Sequence, residues 1–549
     1  MIQKKLSEIL QQAIQNAQNN DLLNDFAIPA IDIDRPANPA HGDYASNVAL
    51  KIQPLTEKSP MDNGQIILDH ISENNLIQEA TLAKPGFINF KIQDHWLAEQ
   101  IKNITNDNNF GGNDTGKGLK LQIEYVSSNP TGPVHIGNGR GASIGSSLAK
   151  IFRKCSYEVT EEFYVNDAGN QIKLFGETLF ARYNTLLGVA RDVPDEGYQG
   201  QYMIELAKQI NDEHGNTFLE ASKQDELTKI GLTKMITEIQ LELSNIGVEF
   251  SEWFYESSLH ENKTLEHVIT QLESNKFTAK KDDAIWFTST KLGDDKDNVL
   301  IKADGTPTYF TADIAYHHNK FRERNFDRVI NIWGADHQGH VTRLKKAMQA
   351  LDINAEQLDI ILYQLITLKR GNETVPLSKR SGEIISLNEV FTETGKDAMR
   401  FFFLAQSANQ AMDFDVELAK QQTKDNPVYY VQYAHARIYA ILAKAKEEQF
   451  SASTAHLNLI HEAEEITLIK KLIEFPELIQ KIADDLAPHH LPHYAMELAQ
   501  SFHAFYTKCR VIDESNKNLS EARLELLEAC KIVLAETLLL IGVDAPNKM

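Results

Sequence analysis

Leu121-Gln122-Ile123-Glu124-Tyr125-Val126, followed by Ser128-Asn129-Pro130-Thr131-Gly132-Pro133-Val134-His135-Ile136-Gly137-Asn138-Gly139-Arg140-Gly141, is the stretch on which the fold turns. The first six residues read as a strand, the Pro/Gly-rich segment as a tight turn, and Gly139 to Lys154 as a long helix. Strand, turn and helix in that order open a doubly wound α/β nucleotide-binding domain. Unpaired N–H groups at such a helix start attract anions. Gly137, Gly139 and Gly141 would let a flat base or phosphate reach the backbone with no Cβ in the way, and His135 adds a side-chain donor. In an ordinary corner the same Gly and Pro would serve geometry alone; Pro, Thr, His and Gly together favour the ligand-binding version.

Two further strand-like runs extend the domain, Arg328 to Trp333 before a small-residue turn and Ile360 to Leu368 before a basic loop. That loop, Lys369-Arg370-Gly371-Asn372-Glu373-Thr374-Val375-Pro376-Leu377-Ser378-Lys379-Arg380-Ser381-Gly382, concentrates positive charge between glycines. It reads equally as a closing loop that meets developing phosphate charge or as a solvated basic surface. Between the first two strands a polar stretch of about 185 to 280 reads as a helical insertion. Upstream, residues 1 to 115 read as a small α+β unit, with Phe87 to Ile92 alternating as a strand and Lys102 to Lys120 as an Asn/Asp/Gly-rich linker. Residues 116–425 then form the nucleotide-binding domain, and 426–549 carry helical periodicity only.

At about 150 residues per domain, 549 residues suggest three or four domains. Lys and Arg number 55 against 77 Asp and Glu, a net charge of −22, so a sequence-blind nucleic-acid binder is excluded. Any RNA must meet a local basic track on a repelling body. Cys155, Cys509 and Cys530 form no C-x-x-C pair, which argues against a disulfide scaffold or a cysteine zinc site. No run reaches the ~20 apolar residues of a membrane span, and the expectation is a cytoplasmic, soluble protein.

The two glycine-flanked segments, in this order and some 240 residues apart, resemble the H-I-G-H and K-M-S-K-S signatures of class I aminoacyl-tRNA synthetases. The wider match is similar to the bacterial arginyl-tRNA synthetases. It includes Glu124 to Pro133, Tyr164-Val165-Asn166-Asp167-Ala168-Gly169-Asn170-Gln171 and Trp333-Gly334-Ala335-Asp336-His337-Gln338-Gly339-His340. His41-Gly42-Asp43-Tyr44-Ala45 and Tyr429 to Arg437 complete it. The resemblance implies a Rossmann-like catalytic domain between an additional tRNA-binding N-terminal domain and a helical anticodon-binding C-terminal domain. It implies ATP, Mg2+ as counter-ion, L-arginine and tRNA(Arg), with no DNA or membrane partner and a monomeric chain. His135, Ser378 and Lys379 are then catalytic. Pro133, His135, Gly137, Asn138, Gly334, Asp336, Gln338 and Lys379 face ATP, and Glu124, Asn129, Tyr309, Asp313 and Asp336 face arginine.

Two positions depart from the pattern. Asn138 replaces a His, and an amide donates hydrogen bonds but carries no charge. The second signature keeps Lys379 and loses its first Lys, for which Lys369, Arg370 or Arg380 is a candidate substitute. The chemistry suits arginine, since a planar guanidinium pairs with carboxylates; Tyr309 and Asp313, at i, i+4, share a helix face. For His489, His490 and His493 the expectation is a structural role rather than a metal site. Tyr433 is expected in the helix-bundle core. The rivals are a class I enzyme for another substrate and a tRNA-binding paralogue without activity.

Overall fold

The computed structural model describes residues 2–371, 373–375 and 385–549. Its N-terminal unit is an antiparallel sheet of β1 (Tyr44–Ser46), β2 (Ile77–Ala83) and β3 (Phe87–Ile92), in the order β1-β3-β2. Helix Ile2–Asn19 buries Leu6, Leu10 and Ile14 along one stripe, the helical period seen in the sequence.

The central sheet is formed by β4 (Lys120–Glu124), β5 (Glu158–Val165) and β6 (Glu252–Tyr255). After an antiparallel trio of β7 (Thr278–Lys281), β8 (Ala284–Phe287) and β9 (Asn298–Ile301), it is completed by β10 (Arg328–Gly334) and β11 (Leu358–Tyr363). Its order is β11-β10-β4-β5-β6, with every pairing parallel. Leu121 to Glu124 are all buried, as a central parallel strand covered on both faces requires. The chain leaves β4 to one side for β5 and β6 and later returns to the other side for β10. The strand order thus reverses between β4 and β10, where doubly wound sheets bind ligands. A third small sheet joins β12 (Ile366–Arg370), β13 (Glu373–Val375) and β14 (Met412–Asp415).

The stretch expected as a helical insertion holds helices Gln201–His214 and Gln224–Asn245, but also β6, which pairs with β5 in the main sheet; helix Asn170–Leu186 ends where that stretch begins. The four residues Glu252 to Tyr255 are too short for an alternating pattern to stand out. The stretch read as a linker is docked: helix Asp94–Asn106 covers its start, and Phe110 stacks on Phe475 of the C-terminal helices at 6.2 Å. The His41–Ala45 motif serves the same junction. Arg35 reaches Glu474 at 3.1 Å and Glu477 at 3.2 Å, the Tyr44 hydroxyl donates to Glu477, and Lys470 meets Asp43 at 2.6 Å. Replacing Arg35 by Ala leaves two neighbouring carboxylates facing each other, and the first calorimetric transition is expected to fall by an amount equivalent to roughly 1–3 kcal/mol. An unchanged transition would mean that this cluster does not hold the two units together.

Candidate active site

At the carboxyl ends of β4 and β10 lies a cavity of about 540 Å³. Of the positions singled out in the sequence, Glu124, Ser128, Asn129, Asn138, Tyr309, Asp313, Gly334 and Asp336 line it. Pro133, His135, Gly137 and Gln338 are not among its lining residues. Ser378 and Lys379, with Pro376, Leu377 and Arg380, lie outside the described residues.

The floor of the cavity begins with a strained turn. Directly after β4 the Ser127 amide donates to the Tyr125 carbonyl, forming a γ-turn with Val126 at φ +67°, a region a β-branched residue rarely adopts. Ser127 helps hold the turn: its hydroxyl donates to Glu124 Oε1 at 3.1 Å and accepts from the Tyr164 amide at 3.2 Å.

Glu124 is not free. Its other oxygen pairs with Lys320 Nζ at 2.7 Å, and neither side chain is more than 6 % exposed. Lys320 sits in the π-helical turn Asn319–Glu323, which follows helix Tyr309–His318. It also donates to Asn331 Oδ1 at 3.0 Å and lies 4.1 Å from the Tyr316 ring centre, a cation–π contact. Burial pulls the ammonium pKa down and Glu124 opposes that. Because an ammonium only donates, Asn331 turns its oxygen to Lys320 and its amide nitrogen to His317 Nε2, 2.6 Å away. The His317 proton therefore sits on Nδ1, which donates to the Asp313 carbonyl at 2.7 Å. Burial, with Lys320 nearby, holds this imidazole neutral, well below the usual histidine range.

Asp313 differs from Glu124. It is buried, and Oδ2 lies 2.6 Å from His340 Nε2, yet neither atom has an aligned hydrogen-bond partner. Ser128 Oγ is a third buried polar atom without a partner in this cavity. Burial raises the Asp313 pKa, while His340, His337 and Arg343 pull it down. Native proteins rarely leave buried polar atoms unpaired, and a polar ligand in the cavity would satisfy them. With Glu124 paired to Lys320, Asp313 is the buried carboxylate of the cavity whose neighbour is an imidazole, His340, rather than a fixed cation.

The signature turn corrects two expectations. The first-turn amides are occupied: Ile136 N–H donates to the Ile385 carbonyl, Gly137 N–H to His135 Nδ1 at 3.0 Å, and Asn138 N–H to the His135 carbonyl. His135 thus caps the helix, and burial lowers its pKa. The glycines are spent on packing: a Cβ at Gly139 would meet Leu387 at 2.6 Å, and one at Gly141 would meet Tyr363 at 2.9 Å. Residues Ser386 and Leu387 meet the turn too, because Leu387 N–H donates to the Val134 carbonyl and Ser386 bridges His135. Of the candidate substitutes for the missing Lys, Lys369 pairs with Asp413 and Arg370 with Glu393.

Tyr433 is 42 % exposed, contrary to its expected core position, and stacks between Tyr429 and His503. Arg437 lies 5.0 Å from the Tyr506 ring centre and donates to its hydroxyl. Lys320, Asn331, His317 and His340 were not among the candidate site residues, although His340 closes the Trp333–His340 motif. The spacing of Lys320 from Glu124, 196 residues, carries no local signal; only the position of His317 four residues after Asp313, on the same helix face, hinted at a contact.

Residues 100–434 match the catalytic domain of class I (R) tRNA synthetases, 431–549 a DALR anticodon-binding domain and 4–92 the arginyl-tRNA synthetase N-terminal domain. The chain is 48 % identical over 552 aligned residues to the arginine–tRNA ligase of Dehalococcoides mccartyi strain CBDB1, covering 100 % of this chain and 99 % of that protein. It is 43 % identical to that of Carboxydothermus hydrogenoformans, over 95 % of this chain and 94 % of the relative. The arginyl-tRNA synthetase structure from Thermus thermophilus shares the fold, with a TM-score of 0.80 at 19 % identity over the full length of both chains. With its reversed parallel sheet, its two signatures and full-length relatives at this identity, the chain belongs to the arginyl-tRNA synthetase family of class I.

Proposed function

We propose that this chain attaches L-arginine to tRNA(Arg) at the expense of ATP, for use in translation. One observation carries the choice of amino acid: Asp313 is a buried carboxylate lining the cavity whose partner at 2.6 Å is the imidazole of His340, while the glutamate of the same cavity is already paired with Lys320. A guanidinium presents a planar fork of donors to such a carboxylate.

In the first step an arginine carboxylate oxygen attacks the α-phosphorus of ATP. The bond to the β,γ-phosphates breaks, giving arginyl-adenylate and pyrophosphate. Glu124, Asn129, Tyr309, Asp313 and Asp336 hold arginine; Gly334, Asp336 and Gln338 face the adenosine. Pro133, Gly137, Asn138 and the free Nε2 of His135 line the phosphate path. Lys379 neutralises charge on the departing pyrophosphate, with Ser378 beside it as a catalytic residue, the kind of positioning and charge compensation that dominates phosphoryl transfer. In the second step the 2′-hydroxyl of the terminal tRNA ribose attacks the activated carbonyl carbon, the bond to AMP breaks, and the hydroxyl proton is released. Among the described residues no group of three or more His, Cys, Asp or Glu side chains could hold a metal; Mg2+ enters with ATP as its counter-ion.

Residues 1–115, 116–425 and 426–549 act as tRNA-binding, catalytic and anticodon-binding units of a monomeric, cytoplasmic enzyme. No described helix is long and apolar enough to cross a membrane. Exposed Tyr433, Tyr506 and Arg437, with half-buried Tyr429 stacked on Tyr433, offer flat rings and a cation to splayed RNA bases. With a net charge of −22, tRNA binding depends on local cations and should weaken by at least about tenfold between 50 and 200 mM salt, since displaced counter-ions are released from the RNA. A flat binding curve would contradict this.

Arginine-dependent ATP–pyrophosphate exchange tests the whole reading. Exchange with arginine and no other amino acid, dependent on added tRNA, supports it and a site completed by tRNA. Exchange without tRNA keeps the enzyme but removes that dependence. Absence of exchange with every amino acid, from protein that still binds tRNA, overturns it in favour of a tRNA-binding paralogue.

A further inference from the structure

We propose that the helical insertion is part of the catalytic unit, its Tyr202 and Glu242 acting as positioning residues that hold the first signature turn in place for ATP. The inference rests on the reading of that turn as the ATP phosphate path, and adds a device that neither the signature nor the strand–turn–helix pattern contains.

Two hydrogen bonds from the insertion reach the turn. The Tyr202 hydroxyl, on helix Gln201–His214, donates to the Thr131 carbonyl at 2.8 Å. The Glu242 carboxylate, on helix Gln224–Asn245, accepts from the Val134 amide at 2.9 Å. They bracket Gly132 and Pro133. Proline has no N–H to anchor, and a Cβ at Gly132 would lie 3.2 Å from the Tyr202 ring, so the turn rests directly on that ring. On the far side the Val134 carbonyl accepts from Leu387 and the Ile136 amide donates to Ile385. His135 therefore lies between Val134, tied to the insertion through its amide and to Leu387 through its carbonyl, and Ile136, tied to Ile385.

The insertion is built to act as a wall. Its helices pack with the preceding helix Asn170–Leu186 into a separate apolar core, including Phe175, Leu179, Met203, Leu206, Leu227 and Met235. Gly176 and Gly231 bring helices together at positions where a Cβ would lie 2.2 Å from Thr228 and 2.4 Å from Leu179. A cluster packed in this way transmits position rather than absorbing it. Glu242 stands at an unfavourable place for a carboxylate. Burial, with Glu238 one turn earlier on the same helix, lifts its pKa to about 7 against the pull of the Val134 amide. A group so placed contributes its acceptor, because Val134 is fully buried and its N–H would otherwise be orphaned.

The test is exchange kinetics at saturating tRNA for Glu242→Gln, Glu242→Ala, Tyr202→Phe and His135→Ala, with KM for ATP and for arginine read separately. Glu242→Gln keeps an oxygen for the Val134 amide and should stay within about threefold of the unaltered protein. Glu242→Ala should raise KM for ATP or lower kcat about tenfold, with KM for arginine and tRNA affinity within twofold. Tyr202→Phe, which keeps the ring and loses the bond, should show a smaller effect of the same kind. The proposal is overturned if Glu242→Ala leaves the ATP parameters unchanged, or if it alters both substrates equally while Tyr202→Phe alters neither. His135→Ala separates this failure from failure of the reading beneath it. If that variant leaves the ATP parameters intact, the turn is not the ATP path; if it impairs them while the insertion variants do not, only the clamp is wrong.

Discussion

Asp313→Asn is expected to raise KM for arginine by about 30-fold or more with little change in fold, because truncating one partner of a buried charge pair costs roughly 2–5 kcal/mol and each 1.4 kcal/mol is tenfold. The amide is isosteric and still accepts one hydrogen bond, so the variant isolates the charge. Its effect should be large because Glu124 cannot compensate: Lys320 already pairs with it at 2.7 Å. The pH dependence has a definite sign. A guanidinium stays protonated throughout the accessible range, and burial raises the Asp313 carboxyl above its usual value despite His340, His337 and Arg343. Arginine affinity should therefore fall on acidification at a higher pH than an ordinary carboxylate would give, and this dependence should vanish in Asp313→Asn. Steady-state exchange across pH, with arginine varied, checks both. An unchanged KM would remove Asp313 from the pocket.

Lys320→Met is expected to have the largest effect on stability. It leaves Glu124 buried with only Ser127 and no counter-charge, and removing one member of a buried pair typically costs about 3–5 kcal/mol. The companion Glu124→Gln/Lys320→Met variant removes both charges and should recover at least half of that loss, since a neutral pair of similar volume need not be destabilising. Thermal unfolding of the unaltered protein, both single variants and the double variant forms a cycle whose coupling term reads the pair directly. A Lys320→Met protein as stable as the parent would mean that the ammonium is dispensable. The double variant should fold yet lose arginine activation, because Glu124 faces the cavity.

The catalytic half of the fold was legible where its determinants are local. An apolar run, a Pro/Gly turn and a helical period identify β4, the signature turn and helix Ile136–Lys154 within some thirty residues. The Tyr309–Asp313 pair was legible for the same reason, since spacing along one helix dictates which side chains share a face. Other features depend on partners distant in the chain. The amides of Ile136 and Gly137 look free from sequence, yet one is taken by Ile385 and the other by the capping imidazole. Gly139 and Gly141 read as openings for a ligand but admit Leu387, Phe403 and Tyr363. Tyr433 follows an apolar pattern and still faces out, because the helix packs its neighbours Val431 and Ala434 instead.

By itself, then, the sequence determined the class of fold, the location of the nucleotide corner and the carboxylates that make the site acidic, because each follows from short-range periodicity and side-chain chemistry. Only the tertiary structure decided which carboxylate is left without a fixed counter-charge. That choice belongs to Lys320, set 196 residues from Glu124 in a π-helical turn, which pairs with Glu124 and leaves Asp313, buried in the cavity wall, with a histidine neighbour instead. Burial and pairing set the effective charge of an acidic group, and both depend on packed neighbours rather than on position in the chain.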